Sequence, residues 1–308
     1  MTSARIRPLE DRDYQALAST LNSAFASYRD ATVYANPMLA YFREWMWSDA
    51  PSLVLSDGDQ QKGVLLAGVR SVRFDGVDLR VLHIGPFGIV RSHRRQGWGT
   101  KMLRDLRLLA QNHGADLLTL TTESIYGAHR LYRREGFDPI EAYRPKLSML
   151  SAASGNLPPF RGTHTCSDIR PIITEEPLGK HLMETGPTGP PLPAALRPNR
   201  WELNGGRAAT IQWSIVTRQG DRETLQKVSQ VIEWVPGESP EELFQAARER
   251  AAAEGSVCLY ALGSLSRGLP QLRAKGSSMV YRMGRALTDK GAFALKAAKH
   301  YTEIAPAP

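Results

Sequence analysis

The chain has 308 residues, 42% hydrophobic and 23% charged, a globular composition long enough to bury two cores of ordinary size. A formal charge of +8 favours anionic partners; two cysteines, Cys166 and Cys258, with neither a CxxC partner nor a histidine at ligand spacing, exclude a disulfide framework and a zinc site. The N-terminus is charged from its fifth residue and no stretch runs to about 18 apolar residues, so a soluble cytoplasmic protein with no membrane segment is expected.

In chain order, residues 4–10 predict a short strand, and 11–26 a helix whose Tyr14, Leu17, Leu21 and Phe25 share one face. A second helix is expected over 38–47. Strands follow at 52–57, 62–76 and 79–90, separated by Asp-Gly and Gly-Asp hairpin signals. Residues 99–112 place Met102, Leu103, Leu106, Leu109 and Ala110 on one helical face, stopped by Gly114. A buried strand at 115–123, a short helix ended by Gly136 and a strand at 145–150 close the first half. Residues 151–163, SAASGNLPPFRGT, have the composition of a linker. The second half echoes the first: DIRPIITEE at 168–176 repeats the opening, followed by a strand at 229–235, a helix at 239–255 with a Ser239/Glu242 capping box, a strand at 256–262, a short helix ending at Gly276 and a strand at 277–284. The domain division is therefore 1–150, a linker at 151–163, and 164–308.

Residues 88–100 read GIVRSHRRQGWGT, a basic, glycine-rich turn between a strand and a helix. Glycine leaves room for an anion to approach the backbone, and the first turn of a helix has unpaired N–H groups, so this is a phosphate site in form. The spacing is that of neither a P-loop nor a dinucleotide fingerprint, since Lys101 precedes no Ser or Thr and Met102 stands at the third glycine position. A pyrophosphate is the natural guest.

These residues resemble the GNAT superfamily of acyl-CoA N-acyltransferases. The Q/R-x-x-G-x-G/A loop is matched from Arg94 to Gly99, and A-x-x-L-Y-x-x-x-G-F at Ala128, Leu131, Tyr132, Gly136 and Phe137; together they cover about half the chain. The resemblance implies an α/β fold of two GNAT-like domains, each a twisted, mostly antiparallel mixed sheet flanked by helices. It implies acetyl-CoA as cofactor: Phe87, Gly88, Ile89 and Val90 would pair with the pantetheine arm. Arg94, Arg95, Gln96, Gly97, Trp98, Gly99 and Thr100 would hold the pyrophosphate, with Ser124 and Ala128 completing the contacts. It assigns the oxyanion donor to a backbone N–H near Ile89 and the general acid to Tyr132, a phenol that stays protonated at neutral pH.

Two departures stand out. Ile125 replaces a common asparagine, and the splayed strand carries Gly85-Pro86 where many members have a glutamate base. The bases left are His83 and Glu123, or a water chain. Tyr28, Asp30 and Tyr34 are the candidate acceptor contacts for a mid-sized amine, in a loop rich in aromatics. No metal is expected, nor nucleic acid as partner.

The corresponding turn of the second half, EWVPGESPEEL, is shorter and places Glu238, Glu241 and Glu242 where phosphates would lie, with Leu272 in place of the tyrosine. That half reads as a degenerate copy that packs on the first, shapes the acceptor site or mediates homodimerisation. The expected function is N-acetyl transfer to an amine of a small molecule or peptide; the alternative is an acyl-CoA-binding sensor or assembly protein without turnover.

Overall fold

The computed structural model describes residues 4–27, 30–32, 51–74, 77–123, 127–143, 146–150, 199–219, 222–261, 269, 272–274 and 280–304. The predicted helix at 38–47, the linker and the repeat at 168–176 lie outside them.

The chain opens with β1 (Arg5–Pro8), a 3₁₀ turn at Asp11–Asp13 and α1 (Tyr14–Phe25). Asp13 anchors this entry: its carboxylate accepts two 2.6 Å bonds from the Arg7 guanidinium and one of 2.8 Å from the Glu10 amide. Burial pushes the Asp13 carboxyl up, but the bonds from Arg7, Glu10 and Gln61, and the Arg7 charge, outweigh it and hold the group below its ordinary value. Leu17, Leu21 and Ala24 repeat at i, i+4 and i+7 and are fully buried, the two leucines on Val64 and Leu66.

Next come β2 (Asp30–Thr32), β3 (Leu53–Asp57), β4 (Gln60–Phe74), β5 (Val77–Ile89), α2 (Trp98–Asn112), β6 (Leu117–Glu123), α3 (Ala128–Arg134), β7 (Asp138–Tyr143) and β8 (Lys146–Met149). The second half contributes β9 (Asn199–Leu203), β10 (Gly206–Gln219), β11 (Arg222–Val235), α4 (Pro240–Ala253), β12 (Ser256–Ala261), β13 (Arg273–Ala274), β14 (Val280–Ala286) and α5 (Asp289–Ile304). Strands β2, β7, β9 and β10 and helix α5 were not predicted. Arg273–Ala274 is a strand, not the last turn of a helix. Ser239 makes no side-chain cap to α4; its hydroxyl accepts instead from the Asn204 amide at 2.9 Å.

Two mixed sheets result, ordered β1-β3-β4-β5-β6-β14-β7 and β13-β8-β12-β11-β10-β2, with β9 on β10. Both take strands from across residues 151–163: β14 inserts between β6 and β7, whereas β8 between β12 and β13 and β2 on the edge of β10 join the second sheet. The runs β4-β5-β6-β14-β7 and β10-β11-β12-β8-β13 share the same sequence of senses, antiparallel, parallel, antiparallel, antiparallel. The two halves of the chain are therefore interlocked through their sheets.

Strand alternation sorts the first sheet's side chains onto two faces. Leu65, Ala67, Leu82, Leu118 and Leu120 pack under α2 and α3; Leu79, Val81 and Leu117 pack under α5 with Ala294 and Leu295. In the second sheet Ala208, Val231, Trp234 and Leu259 form a separate core with α4.

Candidate active site

Strands β5 and β6 run parallel from Val81↔Leu117 to Ile84↔Leu120, and the pairing ends there. β6 continues along β14, with Thr121 opposite Arg282 and Glu123 opposite Val280. β5 continues along β4, but between Leu65 and Ala67 the register slips, so that Gly85 and Pro86 together face one residue of β4. Proline has no N–H to give a ladder and an extra residue bends the strand, so Gly85-Pro86 is chemically suited to this bulge. A wedge opens between β5 and β6. The bulge also resets the alternation: Phe87 and Ile89 join Leu82 and Ile84 on the α2–α3 face, whereas Gly88 turns to α1, where a Cβ would stand 2.7 Å from the Ala24 Cβ. The Val90 amide donates to the Lys62 carbonyl at 2.9 Å, so the Ile89 amide, one residue earlier, points the opposite way, into the wedge.

The basic loop begins at this strand end. His93, buried in a 3₁₀ turn at Arg91–His93, places Nε2 3.2 Å from Asp57 Oδ2 and Nδ1 3.0 Å from Ser92 Oγ, tying the loop to the β3–β4 hairpin. Arg94 folds back: Nε donates to the Ile89 carbonyl at 2.7 Å, and the guanidinium also bonds the Ala24 carbonyl and Ser27 Oγ at the end of α1. Its side chain braces the loop. Arg95 and Gly97 both have left-handed backbone, φ 59° and 84°. Gly97 is the N-cap of α2 and nothing lies within 4 Å of where its Cβ would be. The Lys101 amide makes the first helical bond, to the Gly97 carbonyl at 3.1 Å, which leaves the amides of Trp98, Gly99 and Thr100 without a helical acceptor. No acidic side chain occupies that turn, so the positive end of the helix is unopposed. Arg95, Gln96 and Gly97 are exposed, and Gln96 Oε1 accepts from Trp98 Nε1 at 3.3 Å. Gly99 packs on α3, its Cβ position 3.2 Å from Leu131 Cδ2.

α3 starts at Ala128 after Gly127 (φ 68°) and ends at a paired cap: the Phe137 amide donates to the Tyr132 carbonyl and that of Gly136 (φ 78°) to the Arg133 carbonyl, both at 3.0 Å. Such a cap needs a left-handed residue followed by an apolar one that packs back on the helix. Gly136 and Phe137 fill these roles, the Phe137 ring lying 5.9 Å from that of Tyr132. The Gly-Phe of the signature is thus the clamp that aims the tyrosine. Tyr132 is 7% exposed, its ring 6.5 Å from Phe87 at the bulged strand end.

His83 and Tyr132 occupy opposite faces of the sheet. His83 alternates with Leu82 and Ile84 toward the α5 side, where Nδ1 stands 3.0 Å from Thr119 Oγ1, its register partner. A small pocket there is lined by His83, Thr119, Thr121 and the buried Arg282. Glu123, two residues beyond Thr121, falls at the same strand parity. Asp30 begins β2, which pairs with β10 on the edge of the second sheet, opposite Thr217. Tyr28, Tyr34 and Ser124 lie outside the described residues. Arg282 and the other β14 residues at the site were missed from the sequence, where they read as an ordinary strand with no sign of where it would pair.

In the second half, the place ahead of α4 is filled. The Glu238 amide donates to the Asn204 carbonyl at 3.1 Å, and a Cβ on Gly237 would be 2.2 Å from the Gly206 nitrogen, so the β9–β10 turn is pressed against the strand–helix loop. Glu241 and Glu242 occupy the first turn. Among the described residues no three His, Cys, Asp or Glu side chains gather to hold a metal, and no helix is long and apolar enough to cross a membrane.

Residues 15–137 match the family model described as Acetyltransferase (GNAT) family. No curated protein matches. Many solved structures share the fold. An N-myristoyltransferase of Saccharomyces cerevisiae, solved with bound myristoyl-CoA and inhibitors, is similar at TM-score 0.62 and 9% identity over 93% of this chain and 80% of that one. A putative acetyltransferase of Pyrococcus horikoshii has TM-score 0.57 and 13% identity over 94% and 92%. Eis1 of Mycobacterium abscessus has TM-score 0.51 and 13% identity over 95% and 75%. At these identities the likeness is one of fold, and the family match supports N-acyl transfer from an acyl-CoA as the class of activity. The wedge between β5 and β6, the open glycine loop and the capped tyrosine helix all lie within residues 15–137, the stretch that matches the acetyltransferase (GNAT) family model.

Proposed function

We propose that the chain transfers an acetyl group from acetyl-CoA to a primary amine of a small molecule or peptide by direct attack, with Tyr132 as general acid. The residues fit the cofactor. The unpaired amides of Trp98 to Thr100, beside the unobstructed Gly97, suit a pyrophosphate, and the free edge of β5 from Phe87 to Ile89 suits the pantetheine amides. The cofactor supplies an activated thioester. The chain's own part is to hold it, to donate the Ile89 amide to a developing oxyanion, and to deliver the Tyr132 proton to the departing sulfur.

The observation that carries this reading is the contact of Tyr132 with Phe87, which puts the one phenol of the signature beside the free strand edge. In this reading the amine enters from the opposite face, with His83 or Glu123 taking its proton and Asp30, Tyr28 and Tyr34 contacting its remainder. Arg94 holds the loop in shape, and Arg95, like Arg91, is an exposed cation of the loop. The second half is read as a degenerate copy, because the space ahead of α4 is taken by its own backbone. A cytoplasmic location and self-association through that half belong to the same reading.

The bulge at Gly85-Pro86 supplies no carboxylate, which favours a second reading, an acyl-CoA sensor without turnover. Calorimetric titration with acetyl-CoA and coenzyme A, together with thiol release over a panel of amines, separates the two. Binding lost in Gly99→Glu with turnover in the parent supports the enzyme; binding alone supports the sensor; absence of binding removes both.

A further inference from the structure

α3 has only seven residues, too few for a helix to hold itself in water, where about 12–15 are needed even for favourable sequences. Besides α2 and β6, it is held by a strand from the other half of the chain. In β14, residues 281, 283 and 285 alternate onto the α2–α3 face, while Gly284 turns to α5, its Cβ position 2.5 Å from Leu295 Cδ2. The Tyr281 ring lies 5.9 Å from that of His129 in the first turn of α3. Met283 is buried in the same cluster as Tyr132. Arg285 reaches the far end: Nη1 donates to the Glu135 carbonyl, and the guanidinium lies 2.9 Å from where a Cβ on Gly136 would be. The Glu135 carboxylate, 8% exposed, in turn accepts from Arg104 Nε and Nη2 on α2 at 3.0 and 3.2 Å.

We infer that Arg285, brought by β14 from the C-terminal half, is a positioning residue for Tyr132. It occupies the Glu135 carbonyl at the cap of α3 and so sets where the Tyr132 phenol stands at the wedge. Tyr281 does the same at the helix start. The inference rests on Tyr132 being the acid, and it gives the C-terminal half a direct share in the acyl site. Gly136 is required twice, for its left-handed backbone and because a side chain would displace the guanidinium. Burial, then the charge of Arg107, push the Arg285 guanidinium below its ordinary value while Glu135 opposes them, as for a cation enclosed in a structural contact.

The test uses the full chain labelled with 3-fluorotyrosine, the fluorine line of position 132 being assigned by its loss in Tyr132→Phe; this readout needs no acceptor. In Arg285→Met that line is expected to move and its titration midpoint to change, coenzyme A affinity to stay at the parent value, and thiol release from acetyl-CoA to fall about tenfold or more. Arg285→Lys, which keeps a donor, is expected to recover part of both signals. A folded Arg285→Met with an unmoved line overturns the proposal, whether or not thiol release falls. If Arg285→Met fails to fold, Arg285→Lys and Tyr281→Leu take its place under the same criterion. If the line moves but Tyr132→Phe releases thiol at the parent rate, the positioning stands and the acid assignment falls.

Discussion

Tyr132 and His83 stand on opposite faces of one sheet, His83 paired with Thr119 just before the wedge that opens beyond Ile84 and Leu120. A group passing through that wedge would meet a phenol on one side and an imidazole on the other. This suits a reaction in which one partner gives a proton and the other takes one.

Replacing Tyr132 by phenylalanine tests the acid side. The ring keeps its contacts with Phe87 and Phe137, so folding and coenzyme A binding are expected to hold while kcat falls by about 10² to 10⁴. Steady-state kinetics and calorimetry on the same preparation check it; an unchanged kcat removes the phenol from the chemistry.

On the acceptor side, His83→Ala and Glu123→Gln are compared. If His83 takes the amine's proton, its variant is expected to lose kcat about 10²-fold with coenzyme A affinity intact, and Glu123→Gln to remain near the parent. The reverse pattern assigns the base to Glu123. A parent-like rate in both points to water.

The loop is tested at its two glycines. Gly97→Val puts a β-branched residue at φ 84° without any clash, so its cost is backbone strain of about 1–2 kcal/mol and a displaced loop. Gly99→Glu adds a carboxylate among the amides of the α2 first turn and crowds Leu131. Both are expected to weaken coenzyme A binding, Gly99→Glu the more, as read by calorimetry. A parent-like affinity in Gly99→Glu places the anion elsewhere.

Asp13 predicts a pH dependence of stability. Its pKa is lower in the folded chain than in the unfolded one, so its contribution is fully present above the unfolded carboxylate value of about 3.9 and is lost as pH falls through the folded value. Asp13→Asn is expected to lower the denaturation midpoint at pH 7 and to flatten its dependence on acid below about pH 4. Thermal unfolding as a function of pH checks both; equal acid slopes in parent and variant refute it.

The phosphate loop and the tyrosine helix were legible because their determinants are local. Gly97 must adopt a left-handed φ and leave space before a helix, and Gly136-Phe137 must close a cap five residues from the carbonyl it satisfies. Such constraints fall within a few positions of the chain, where spacing carries them. Strands β4 and β5 and the helices at 98–112 and 240–253 were legible for the same reason, from their apolar period. Strand β7 and helix α5 were not, since β14 and β5, which they pack on, reach them only in the folded chain; the β9–β10 hairpin was missed although its Asn204-Gly205 turn is a local signal.

By itself, the sequence determined which local devices this protein contains: a bulge-prone Gly85-Pro86, an anion-ready helix start, a capped tyrosine and a second half without a comparable loop. Tertiary structure alone decided how they meet. It sent the Arg94 side chain to the end of α1, turned His83 away from Tyr132, and drew β14 across the chain to lie between β6 and β7. Strand pairing is settled by which sheet edges are open and which faces must be covered once the whole chain has collapsed. A residue such as Arg285 therefore acquires its partner, the cap of a helix 150 positions away, only in the folded molecule.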